Sequence, residues 1–127
     1  MSVTHVTATR DGITNYVVDQ LDSGFVKFVT SGDVEVATCG FGATAFDAAG
    51  SAGGNSDGVA TANSISDDTS ATGGTVAKFE LQTSGPTSIV FGSVTTSGGG
   101  GDIIISSTAI TAGETVSVTS LTYEAPD

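Results

Sequence analysis

The chain has 127 residues, enough for one domain, and 30 of them are Leu, Ile, Val or Phe. That share stands just above the level of about 20% below which a charged chain stays disordered, so a lean core is expected. Three basic residues against fourteen acidic ones give a net charge of −11, which repels phosphate backbones and argues against direct nucleic-acid binding.

Residues 2–9, SVTHVTAT, are β-prone without a defined face and read as an extended arm or edge strand before a single domain over 10–127. A helix of about three turns is expected next, in RDGITNYVVDQLDSG. Ile13, Val17 and Leu21 recur at i, i+4 and i+8, and Val18 widens the stripe. Thr9 suits the N-cap, Asp11 the first turn and Gly24 the αL position past the end. FVKFVT (25–30) and VEVATC (34–39) then flank Ser31-Gly32-Asp33, a hairpin signal.

Residues 41–74 are rich in Ala, Gly, Ser, Thr and Asp, with Phe41, Phe46, Val59 and Ile65 as the large apolar anchors. One short strand is expected near Gly58–Ala62, and the rest reads as a long surface excursion of the kind that carries contacts in assembled proteins. The C-terminal third holds four β-type runs, TVAKFELQT, SIVFGSVT, DIIISSTAI and TVSVTSLTY, separated by turns at Gly85-Pro86, Gly98–Gly101 and Ala112-Gly113-Glu114. Ala77, Phe79 and Leu81 alternate with Lys78, Glu80 and Gln82, the period of a half-buried strand. In the last run the apolar parity switches between Val116/Val118 and Leu121/Tyr123, which implies a bulge or bend near Thr119–Ser120. The fold expected is mainly β, an antiparallel sandwich or barrel-like domain with one short N-terminal α-helix, and the C-terminal sheet is its organising element.

Signals for chemistry are weak. Gly40-Phe41-Gly42-Ala43-Thr44-Ala45 fits a dinucleotide fingerprint in letters, but the residues after it show no amphipathic helix to point at a pyrophosphate. Asp47, Asp57, Asp67, Asp68 and Asp102 lie in expected loops without the spacing of a calcium-binding loop. Cys39 is the sole cysteine and His5 the sole histidine, so neither a disulfide nor a zinc site is available within the chain. Cys39 reads as a small buried hydrophobe, and a triad would have to recruit His5 from the arm. Neither an enzyme nor a cofactor is indicated. The opening residues lack the apolar centre of a secretory signal and no 18-residue apolar run occurs, so synthesis in the cytoplasm and no membrane partner are expected.

Taken in order, DGITNYVVDQLDSG, FVKFVT, GVATANSISDDTSATGGTVAKFEL and SGPTSIVFGSVTTSGGGGDIIISSTAITAGETVSVTSLTYEAP resemble a widespread group of small tailed-bacteriophage virion proteins. The matching features are the helix with its Asp-Gly ends, the strand Ala77–Leu81 after a Gly-Gly, the turn-out Gly92–Val94 and SSTAITAGETVSVTSLTY, together spanning about Arg10 to Pro126. The resemblance implies a structural part of the virion with no catalytic residues, of head decoration (cement) type, seated on the capsid exterior. Its implied partners are the major capsid protein and further copies of itself, a trimer being favoured. Candidate contacts are Val3, His5 and Val6 in the arm, with Phe41 and Phe46 on the excursion. The alternative is an adhesive or carbohydrate-binding module of a head fibre or tail tip.

Overall fold

The computed structural model describes residues 5–50, 58–96, 98–100, 103–105 and 107–125. It is mainly β with one helix, its principal sheet curled into a half-barrel. That sheet has six strands: β1 (Phe25–Val29), β2 (Glu35–Phe41), β4 (Ile65–Ser66), β6 (Lys78–Gln82), β7 (Ser88–Thr95) and β8 (Ile103–Ile104), in the order β4-β2-β1-β6-β7-β8. Four of its five pairings are antiparallel, and β7 with β8 is parallel over two residues. Two further two-stranded ladders join β3 (Val59–Thr61) to β10 (Thr122–Glu124) and β5 (Gly74–Thr75) to β9 (Ala109–Ile110).

The sheet is organised around β1 and β6 together, not around the C-terminal third alone. Phe28 lies opposite both Ala37 and Phe79, and Val26 opposite both Cys39 and Leu81. All six side chains are buried. Because side chains alternate across a strand, this register stacks one continuous apolar row on the inner face. Complete burial of side chains as large as Val26 or Phe28 contributes roughly 1.5–3 kcal/mol each.

The β1–β2 hairpin turns at the expected residues, with Asp33 rather than Gly32 in the left-handed region at φ 66. Thr30 closes the turn, its backbone N–H donating to Val34 O and its carbonyl accepting from Asp33 N–H. Aspartate tolerates that conformation better than most side chains. The β6–β7 hairpin also forms, closed by Thr83 N–H donating to Thr87 O. The alternation expected along β6 holds except at Gln82, which is buried and donates to Ser88 Oγ.

The last two runs do not build regular strands. DIIISSTAI divides into β8 and β9, and in TVSVTSLTY only an isolated Val116–Asp68 bridge precedes β10 at Thr122. The parity switch therefore marks a stretch that leaves the ladder entirely between Ser117 and Leu121. Hydroxylated residues there compete locally for backbone bonds and weaken regular pairing.

Helix α1 spans Thr7–Asp19. It starts three residues before Arg10, so Thr7–Thr9 are helical and the expected arm is shortened; Met1 to Thr4, Val3 included, lie outside the described residues. Val6, extended at φ −65 and ψ 155, takes the N-cap position without a side-chain hydrogen bond, so Thr9 is not the cap. The buried stripe is Thr14, Val18 and Leu21, while Ile13 and Val17 are half-buried. Its centre is thus a threonine. Past the helix, Ser23 takes the positive φ at 58. Gly24 is required for a different reason: a Cβ there would sit 1.9 Å from Gln82 O.

Candidate functional site

The six-stranded half-barrel ends at β4 on one side and β8 on the other. A cleft of about 540 Å³ lies between its inner face and residues 107–121, which add only β9 and an isolated bridge to the ladders. Its floor is Phe28, Ala37 and Val76, and half-buried Ile103, Ile110 and Val118 line its walls. Glu114, Ser117, Thr119 and Ser120 supply polar groups at the cleft. Such a space is apolar below and hydroxyl-rich above, and it suits an extended segment or an amphipathic ligand.

The outer face of the same sheet is a second surface. Lys27, Glu80 and Phe91 lie in one cross-strand row over β1, β6 and β7, and Lys78 lies opposite Ser93. Phe91 is 68% exposed, unusual for the large ring of a strand residue. Lys78 Nζ pairs with Asp33 Oδ1 at 2.5 Å. Beside them lies a shallow depression of about 290 Å³ bordered by Asp33, Lys78, Glu80, Phe91, Gly92 and Ser93.

Among the sequence-selected contacts, His5 and Val6 are exposed immediately before α1. Phe41 and Phe46 are not surface groups: both are buried, their ring centroids 5.5 Å apart at an interplanar angle of 50°. They pair as core aromatics in the tilted arrangement that ring quadrupoles favour. The excursion that carries Phe46 is likewise not a free surface loop. Ala45, Ala49, Gly58, Ala60 and Ala71 are buried along it, and two of its amides are held by side chains of α1 and of the turn that follows it. Asn15 Oδ1 accepts Ala49 N–H at 2.8 Å, and Asp22 Oδ1 accepts Ala45 N–H at 2.8 Å.

Cys39 is fully buried in β2, and its Sγ–H donates to Val116 O at 3.4 Å rather than facing His5. Burial, the largest influence, pushes the thiol above its ordinary pKa; a hydrogen bond with the Asp68 backbone opposes it, and the Asp68 and Asp67 charges add to it. The Asp68 carboxylate accepts from Thr38 N–H and Ser70 N–H at 2.8 and 2.9 Å. It thereby acts as a side-chain substitute for a strand neighbour along β2. No three His, Cys, Asp or Glu side chains converge among the described residues; Asp57 and Asp102 lie outside them. Nor, among the described residues, does a helix follow Gly40–Ala45, as a pyrophosphate cradle would need. No helix among the described residues is long and apolar enough to cross a membrane.

Phe91 escaped the sequence reading. In SIVFGSVT, Val90 and Val94 share one parity while Ile89 and Phe91 share the other with Ser93 and Thr95, so alternation gives no single apolar face. Pairing with Glu80 on β6 is what puts Phe91 on the outer side. The cleft had no local signal either, because it arises from a ladder that fails to form. Comparison with protein-family models, curated proteins and solved structures returns no match to this chain.

Proposed function

We propose that this chain is a structural protein of a tailed-phage virion, a decoration (cement) protein that binds the capsid exterior and stabilises the shell. Beside the sequence resemblance, the observation that carries this reading is the unclosed half-barrel. Its cleft offers an apolar floor and, along Ser117–Ser120, a backbone stretch outside any ladder. An extended segment of the major capsid protein laid there gains main-chain hydrogen bonds and covers the isoleucines. Each contact of this size is weak, and many copies on a symmetric shell hold through avidity. The acidic remainder of the surface keeps neighbouring copies soluble and apart.

The test is reconstitution on undecorated capsids. Imaging should reveal added density on the shell exterior and a rise in mechanical or thermal stability of the particle. Val118→Asp, which puts a charge on the cleft wall, should lose the density while the free protein keeps its circular dichroism. An unchanged shell with the unaltered protein sinks the proposal.

A second reading, an adhesive or carbohydrate-binding module of a fibre or tail tip, is favoured by one feature. The cleft carries the hydroxyls of Ser107, Ser117, Thr119 and Ser120 beside the Glu114 carboxylate. Binding to glycans or host cells, absent for a cement protein, separates the two.

A further inference from the structure

The outer sheet face differs from the rest of the molecule in charge. Over β1, β6, β7 and the β1–β2 turn, Lys27 and Lys78 offset Asp33 and Glu80. The twelve other acids of the chain are set against one other cation, Arg10, which pairs with Glu124 at 3.1 Å. From Gln82 to Gly101 the sequence contains no charged residue at all. Two copies of so acidic a chain repel one another in most orientations. This face is where they approach without like charges meeting.

The same face carries both halves of a contact. Phe91 projects from β7, and the depression bordered by Lys78, Glu80, Gly92 and Ser93 lies directly beside it. A twofold axis through this patch seats each Phe91 in the depression of the other copy and brings Lys78 of each towards Glu80 of the other. That is the self-complementarity an isologous interface requires. β7 contributes no charge to this face, so the exposed ring of Phe91 has no charged neighbour on its own strand. We infer that this chain self-associates as a twofold dimer through the outer face of β6 and β7, with Phe91 as the anchor. The inference does not rest on the virion reading, and the threefold assembly implied by the resemblance would need a different, head-to-tail surface.

The experiment uses the full chain in free solution, without capsids. Sedimentation equilibrium is run up to about 100 μM, the range in which a contact of micromolar affinity is populated. The expected result is a monomer–dimer equilibrium. Phe91→Ser should weaken it by about tenfold or more, as loss of a central aromatic anchor does. Lys78→Glu should weaken it as well, by turning a balanced patch acidic. Tyr16→Ser removes another exposed ring, on α1, and should leave the dimer intact. A chain that stays monomeric, a trimer, or a dimer indifferent to both Phe91→Ser and Lys78→Glu would overturn the inference. So would a dimer lost equally with Tyr16→Ser.

Discussion

The carboxylate of Asp11 accepts the backbone N–H of Gly58 at 2.6 Å, closing a separation of 47 residues. With Asn15 holding Ala49 and Asp22 holding Ala45, it makes the polar side chains of the helical segment into a row of acceptors. The Gly- and Ala-rich excursion has few large side chains with which to bury itself, so its placement depends on these bonds. Asp11→Ala leaves the amide of a buried glycine without this acceptor, a loss of about 1–3 kcal/mol. Urea unfolding should show the midpoint fall with little change in slope. Protease nicking in the excursion should speed up in parallel, because its local opening becomes easier.

Three glycines should respond to alanine with different signs. Gly58 sits at φ +75, and its Cβ would lie 3.0 Å from the Arg10 guanidinium carbon. Gly58→Ala combines backbone strain with a displaced arginine and should destabilise by about 1–3 kcal/mol. Gly24→Ala places a Cβ 1.9 Å from a backbone oxygen, an overlap no rotamer relieves, and should be more damaging still. Gly12 lies inside α1 with nothing within 4 Å of its Cβ. Gly12→Ala should therefore stabilise by about 0.5–1 kcal/mol, through better helix propensity. Thermal melts of the three variants give the ranking directly.

What could be read from the sequence divides along physical lines. Elements whose signals are local, the β1–β2 and β6–β7 hairpins and β3, stand where turn chemistry and periodicity put them, and the single helix forms but begins at Thr7, ahead of the expected Thr9 cap. Details that depend on distant partners do not. Thr14, outside the expected stripe of Ile13, Val17, Val18 and Leu21, is buried because two backbone groups 44 and 111 residues away complete its hydroxyl. Phe41 and Phe46, large apolar anchors of the excursion and candidate partner contacts, are buried against each other instead. β4 was missed, since two residues, Ile65 and Ser66, pair with the end of β2 without any pattern of their own. Neither candidate surface was legible: Ile89 shares the parity of Phe91 in SIVFGSVT, and the cleft depends on pairings that no local pattern reports.

Thr14 gives a test of how the helix is fastened. Its Oγ1 donates to Gly58 O at 2.6 Å and accepts from Ala125 N–H at 3.1 Å, so one hydroxyl ties α1 to both strands at one end of the β3–β10 ladder. Thr14→Val keeps the shape and removes both bonds. Ala125 N–H also donates to Gly58 O at 3.1 Å, so both backbone groups keep a partner, and a loss of about 1–2 kcal/mol is expected. Thr14→Ser keeps the hydroxyl and should recover most of it. If valine proved as stable as threonine by denaturant titration, packing rather than hydrogen bonding would hold the helix in place.

Cys39 links the core to alkaline stability. Its thiol is pushed upward in the folded chain, chiefly by burial, from an ordinary value of 9.0. Below that value the thiol is protonated in both folded and unfolded chains and contributes no pH dependence. As pH rises through 9.0, the unfolded chain releases the proton while the folded chain retains it, so the unfolded state gains and stability falls. Cys39→Ala should flatten this part of the profile, at the expense of a small cavity that lowers stability uniformly. Thiol-reagent kinetics at about pH 8 provide an independent check, because only the thiolate reacts. Labelling should be slow in buffer and should accelerate to the rate of a free thiol once urea exposes β2. Rapid labelling of the native protein would mean that β2 opens by itself, and that the Asp68–Thr38 and Val116 contacts over it are weaker than their distances indicate.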